Sequence, residues 1–590
     1  MSNLPNPSTA SPPAPGDFDD ERYAASGTAP LGRYIRWQAL VALFGVIMLT
    51  SMLGYSVYNV TTVLVADRGG VFREGVAGNP QTINPLLCQM HEVDQDLCAL
   101  LFRGLTKFNK AGEVKPDLAD YWTITPDGLT YTFHLRADQF WHDGQPVTAA
   151  DVLFTVKTMQ DPDFPGVPDL AELWRTVEVE QLDELTIQFV LAQAFAPFQN
   201  YTTIGLLPKH LWEGTPVADL ASSPLNASPV GTGPMRIAEV AADHIRLDPN
   251  PFYGDSTPYI SALDFKFYPD YPSIFAGYQK DEIDGISRIL PPELPLAQDR
   301  EDLQLFSAVE SGYLVVVFNL RNADVPFFQD TTVRQALAYG TDRARLIEVA
   351  AQGQGILAHS PILMENWAYN PDVKQYPSNP ELAKQLLDAS GWVDSNGDGV
   401  RERDGRLLSF VLLTNEDAVH QRLIEEMAAD WRKIGVQAVP QPVSFAGLVS
   451  DFLAPRRFDA ALISWSDLAG DPDPYPLWHS SQAEEGAQNF SGWSNERADA
   501  ILERARGLVD QGERKQYYSE FQDIFAEEVP ALLLYYPIYT YGVSDRVKNV
   551  QIGPLNRAAD RFATFADWYI VTRRVPANQI PTTVPPMPPQ

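Results

Sequence analysis

The sequence predicts a mixed α/β protein of two or three lobes, carried behind one N-terminal membrane-spanning helix. Three observations predict it. The chain has 590 residues, too many for one compact core, and its 45% hydrophobic content is an ordinary globular share, so most of it folds. Strand-like and helix-like periodicities alternate along it without an internal repeat. One uncharged apolar run stands near the start.

That run covers 37–66, which contains no charged residue and is most apolar from Trp37 to Tyr58. About 20 such residues span a bilayer as a helix. Trp37, Tyr55 and Tyr58 suit the two interfaces, while Arg33 and Arg36 on the preceding flank put the N-terminus in the cytoplasm. The expectation is an uncleaved single-pass anchor in the cell membrane, with the folded part extracytoplasmic. The alternative is a signal peptide cleaved after Leu64-Val65-Ala66, although such apolar regions are normally about 7–15 residues long and nearer the terminus. No cysteine lies between Met1 and Leu87 to carry a lipid anchor. Residues 1–36 (a cytoplasmic tail) and 576–590 are Pro-rich without apolar periodicity, and read as disordered tails.

A net charge of −32, from 44 bases against 76 acids, repels phosphate backbones and excludes a nucleic-acid partner. It also gives no general attraction to anionic lipid, so membrane contact falls to the apolar run. The two cysteines, Cys88 and Cys98, exclude a Cys-based zinc site and match no CxxC motif. In an oxidising compartment they are a candidate disulfide closing a short loop; the alternative is two buried free thiols.

Residues 121–136 read as a hairpin, because Leu129, Tyr131, Phe133 and Leu135 alternate with polar residues after an Asp127-Gly128 turn. Thr148 to Asp151 starts a helix whose face carries Val152, Leu153, Val156 and Met159. Asn379-Pro380 opens another, with Leu382, Leu386 and Ala389 aligned and Gly391 ending it. A longer helix over 417–434 buries Leu423, Met427, Trp431 and Ile434, and a strand follows at 436–443.

Chemistry-bearing patterns are few. His142-Asp143-Gly144 reads as a turn, since no nucleophile accompanies the pair. No Gly-x-Ser-x-Gly, His-Glu-x-x-His or phosphate loop occurs, so neither an enzyme nor a cofactor is expected. Asp394, Asn396 and Asp398 occupy the first, third and fifth positions of a calcium-loop opening, but its twelfth is Gly405 rather than Glu. A plain Asp/Gly turn is the preferred reading, and no metal site is expected.

Several segments carry a resemblance. They begin with Asn84-Pro85-Leu86, Leu101 to Thr106 and Pro116 to Ala119. Asp127 to Arg136, Trp141 to Gly144 and Pro146 to Val152 follow, then Gly231-Thr232-Gly233-Pro234 and Asn250 to Tyr253. Val333 to Leu337, Thr341 to Arg343, Asp394 to Glu402 and Trp465 to Pro472 complete the set. In this order the chain resembles the peptide-type (dipeptide/oligopeptide) extracytoplasmic solute-binding proteins of ABC importers, bacterial family 5. The resemblance implies a two-lobed periplasmic-binding-protein fold with an extra subdomain on lobe I. By it, lobe I comprises 70–108, 229–312 and 536–575, the subdomain 109–228, and lobe II 313–535. It implies capture of a peptide-like solute by lobe closure and delivery to an ABC permease with its ATPase subunits. A sensing receptor subunit, or transport of a glycan or metal complex, is the alternative.

In peptide-binding relatives an acid three places after the tryptophan of Trp465-Ser466-Asp467-Leu468 pairs with the ligand ammonium. Here that position is Leu468, and Asp467 is the nearest acid. Either Asp467 takes the role or the ligand lacks a free amino terminus, because a buried unpaired ammonium is costly. The resemblance also offers the backbone of Gly312, Tyr313 and Leu314 for strand-like pairing with the ligand. Gln89, Met90 and Asp94 in the entry loop are further binding candidates.

Overall fold

The computed structural model describes residues 31–579 except Lys110, Ala111, Ser256, Asp467 and Ala469, with the backbone alone for 31–36, 169 and 579. The chain divides into two units, one containing the stretch up to Val65 with that from Arg573 onward, the other Ala66–Thr572.

In the first unit a helix runs over Leu31–Thr61, and its segment Trp37–Thr61 has a mean hydropathy of 2.0. By length and composition this segment is able to cross a membrane. The helix stops at Thr61 rather than continuing to 66 as expected. Val60 to Val65 is largely β-branched, which favours extended backbone, and Thr62–Asp67 instead pairs as a strand with Val571–Pro576.

The second unit is α/β and two-lobed, built on a 12-stranded sheet. Its spine is the 14-residue strand Ala531–Ser544. The first half of that strand pairs with Gly312–Phe318 and Gly355–Leu357, the second half with Leu303–Val309 and Gly285–Ile286. One lobe's sheet therefore passes into the other along a single strand. The change-over falls at Pro537, which has no N–H to donate, opposite Glu310, whose N–H donates to the Pro537 carbonyl at 2.9 Å.

Each side of the change-over has its own core. Gly312–Phe318 is buried throughout, and its residues alternate between two clusters. Leu314, Val316 and Phe318 enter one, with Leu423, Met427 and Trp431 of the helix Ala418–Arg432. Tyr313, Val315 and Val317 enter the other, with Trp478, Trp493 and Phe521. A strand covered on both faces must be apolar throughout, which is why YLVVVF shows no polar alternation. Beyond Pro537, Tyr539, Tyr541 and Val543 join a separate cluster with Phe72, Phe265 and Trp568.

A four-stranded antiparallel sheet carries a further core around Tyr131, Phe133, Trp174 and Phe189. The expected hairpin is its edge pair, Ala119–Ile124 against Thr130–Leu135. The helix Ala149–Gln160 packs on this sheet's core through Val152, Val156 and Met159, and the Asp151 carboxylate accepts from the Thr148 N–H at 2.9 Å.

Candidate ligand-binding cleft

A cavity of about 520 Å³ opens where these layers meet. One wall comes from the four-stranded-sheet region (Val114, Ile124, Tyr131, Gln199, Asn200), the opposite wall from Leu363 to Trp367, Gly470, Asp471 and Arg514. Val309, Glu310 and Ser311 of the inter-lobe crossing form its back, with Leu555 and Asn556 beside them.

Two opposing walls are joined directly. The Asn200 amide donates to the Asp471 carbonyl at 3.1 Å, and its oxygen accepts from the Asp471 N–H at 3.1 Å. The Ala196 N–H donates to the Arg506 carbonyl at 2.8 Å, and the Arg506 guanidinium lies 4.9 Å from the Phe195 ring centre. Asp471 is held from behind by Arg514 at 2.6 Å, whose remaining donors reach the Ala505 carbonyl and the Tyr518 hydroxyl. Burial raises the Asp471 carboxyl above its ordinary range, although Arg514 opposes that shift. At the back, Glu310 is paired with Arg288 at 2.7 Å, and Arg288 lies 4.8 Å from the Tyr539 ring centre.

A concave cavity set between lobes, with apolar side chains such as Ile124, Leu363 and Trp367 interleaved with charged and amide groups, is the geometry of a small-solute site. The family model of bacterial extracellular solute-binding proteins, family 5, matches residues 113–487. The chain belongs to that family. It is 30% identical over 486 residues to the oligopeptide-binding protein AppA of Bacillus subtilis, covering 80% of this chain and 87% of that protein. The solved structure of AppA in complex with a nonapeptide covers 86% of this chain and all of that one, with a TM-score of 0.69 and 27% identity. NikZ of Campylobacter jejuni, solved with Ni(L-His), covers 85% of this chain and 99% of its own, with a TM-score of 0.70 and 27% identity.

Among the described residues, those singled out in the sequence as ligand-binding candidates are not on the cavity walls. Gly312, Tyr313 and Leu314 lie inside the lobe sheet. Tyr313 is 0% exposed and its hydroxyl accepts from Trp478 Nε1 at 3.3 Å. Their backbone is already paired with Trp465 and Ser466 across the register Gly312↔Ser466 and Tyr313↔Trp465, so it is not offered to a ligand there. Trp465 stacks on Phe490 at 5.3 Å and 8°. The Leu468 N–H donates to the Ser311 carbonyl at 3.3 Å, while Asp467 lies outside the described residues.

The entry-loop set is likewise off the cavity. Asp94 accepts from the N–H groups of Gln81 and Thr82, which uses its carboxylate to fold the loop. Gln89 donates to the Pro85 carbonyl at 3.1 Å, and Met90 is 73% exposed. Cys88 and Cys98 do not form the expected disulfide: both are buried free thiols in the lobe core. Burial, with Cys88 beside it, pushes the Cys98 thiol well above its ordinary range.

Asp394 accepts from the N–H groups of Gly397 and Gly399 at 2.7 and 2.9 Å, so its oxygens close their own turn. Asn396 and Asp398 complete that turn by bonding to each other and to the next N–H groups. His142 has a structural task as well. Its Nδ1 accepts from the Gly231 N–H at 3.1 Å and its Nε2 faces the Gly233 carbonyl at 3.3 Å. Burial lowers its pKa to about 4, so it is neutral near pH 7 and donates through Nε2. Gly231 and Gly233 lie so close to the Leu101 and Leu100 carbonyls that a Cβ would sit 1.8 and 2.2 Å from them.

Sequence reasoning missed Asn200, Ser311, Glu365 and Arg514. Asp471 lay inside the family segment Trp465 to Pro472 and was within reach. The others sit in stretches with no motif, and only the fold brings them together.

Proposed function

We propose that this chain is the solute receptor of an ABC import system and captures a peptide-like solute in the inter-lobe cavity. The observation that carries the reading is the cavity itself, enclosed between walls that Asn200 and Asp471 join through a reciprocal pair of hydrogen bonds. Such contacts exist only when the walls are together, so they favour the closed state and add to what the solute contributes. Each is worth about 0.5–1.5 kcal/mol net. That is enough to bias closure and too little to lock it.

The relatives' own ligands guide the solute class: one is described as oligopeptide-binding and was solved with a nonapeptide. The helix Trp37–Thr61 serves as an uncleaved anchor that keeps the binding unit outside the cytoplasm beside its permease and ATPase subunits. Tethering raises the effective concentration at the permease without adding contacts. A thermal-shift screen of the full-length protein with di- to pentapeptides tests the reading. A rise in melting temperature that grows with peptide concentration is expected. No response to any peptide, together with a response to a glycan or a nickel–histidine complex, would refute the peptide-like solute.

A further inference from the structure

The charges around the cavity do not balance. Among the described residues, its walls carry four carboxylates: Glu113, Glu310, Glu365 and Asp471. Three cations answer them. Lys115 pairs with Glu113 at 2.9 Å and Arg514 with Asp471 at 2.6 Å, while Arg288, which is not a wall residue, pairs with Glu310 at 2.7 Å and is shared with Glu92 at 3.5 Å. Glu365 has no ion-pair or hydrogen-bond partner among the described residues. Glu365 remains exposed to solvent in the open cavity, and partial burial raises its carboxyl above the ordinary range with no cation opposing the shift. The Glu113–Lys115 pair is exposed and free to exchange partners, but exchange only moves the surplus negative charge from one carboxylate to another.

A second, uncharged group is also unsatisfied. Ser311 lines the back of the cavity, is 5% exposed, and its hydroxyl has no hydrogen-bond partner. A buried hydroxyl left unpaired is costly, so a solute group that reaches it gains affinity. We propose that the cavity selects a solute with a net positive charge, seating its cationic group on Glu365 and an uncharged hydrogen-bonding group on Ser311. A zwitterionic peptide is disfavoured, because its carboxylate meets only cations that already hold a carboxylate. A peptide ending in an amide, or one with a basic side chain to offset its terminus, suits the cavity.

This inference rests on the peptide-like reading above, and four trialanine derivatives separate the two. Calorimetry of the full-length protein at about pH 6.5, where the α-amine is protonated, would compare the amide (cation), the free acid (zwitterion), the N-acetyl amide (neutral) and the N-acetyl acid (anion). The amide should bind about tenfold more tightly than the zwitterion or the neutral form, with the anion weakest. Glu365→Gln should bring the cation down to the affinity of the neutral form. Ser311→Ala should weaken all four by a similar factor. Equal or tighter binding of the zwitterion overturns the inference while leaving the peptide-like reading standing. So does a charge preference that survives Glu365→Gln, or one that disappears only in Asp467→Asn. Binding of none of the four defeats the peptide-like reading and this inference together.

Discussion

At the residue scale, the most consequential cluster is the buried one beside the core of Phe72, Tyr541 and Phe562. Arg561 (1% exposed) donates to Glu74 (0% exposed) at 3.0 Å and in a bidentate pair to Asp96 at 2.6 Å, while the Tyr541 hydroxyl donates to Glu74 at 2.9 Å. One cation thus serves two buried carboxylates. Burial raises the Glu74 carboxyl from 4.5 to about 7, with Asp96 adding to the rise and Arg561 opposing it. Removing the cation in Arg561→Ala should cost about 3–5 kcal/mol in urea unfolding, because two carboxylates lose their partner without gaining water.

The pH dependence has a definite sign. A carboxyl whose folded-state pKa is raised contributes stability that is fully present below about 4.5 and is lost as pH rises through about 7. Glu74→Gln should therefore flatten the fall in stability between those values relative to the parent protein. A midpoint difference between pH 5 and pH 7.5 that is unchanged in the variant would count against it. His142 acts in the opposite sense, its contribution being lost as pH falls toward about 4, so the variant-minus-parent difference is the clean readout. None of this cluster was legible in the sequence. Glu74, Asp96, Tyr541 and Arg561 are spread over almost the whole folded chain, and nothing local marks them as neighbours.

At the element scale, local signals were read well where one face or one cap decides the structure. The Asp-Gly hairpin, the Asn379 cap on Pro380–Ala389 and the long helix Ala418–Arg432 are all present. The face of Pro380–Ala389 was misread by one residue: Ala383 and Leu387 are buried, not Leu382 and Ala389. In a short helix two adjacent stripes are almost equally apolar, and the neighbouring helix Thr331–Tyr339 chooses between them. Gly312–Phe318 is an apolar strand buried on both faces, and its pairing with Ala460–Ser466 takes up backbone that strand-like pairing with a ligand would use. Gly312 sits where a Cβ would come within 2.1 Å of the Trp465 carbonyl. Gly312→Ala should therefore destabilise the fold by about 1–3 kcal/mol in chemical denaturation, through forced separation of the two strands.

At the scale of the whole molecule, the lobes communicate through one strand, one crossing and the contacts over the cleft. The family and its α/β two-lobed fold were legible because segments resembling the family's follow one another in family order. The cavity was not, since its walls come from stretches hundreds of residues apart, from Gly112 to Asn556. If Asn200 and Asp471 stabilise the closed state, Asn200→Ala should weaken solute affinity by about 5- to 150-fold, the equivalent of two lost hydrogen bonds. The loss should appear chiefly as faster release, with the melting temperature of the solute-free protein nearly unchanged.

The central claim is that the cavity holds a peptide-like solute. Its most direct test is mass spectrometry of whatever is released when the purified full-length protein is denatured. Short peptides or amide-capped peptide derivatives, in stoichiometric amount and absent from the Asn200→Ala protein after the same washing, are the expected result. A stoichiometric sugar or metal complex in their place would contradict it.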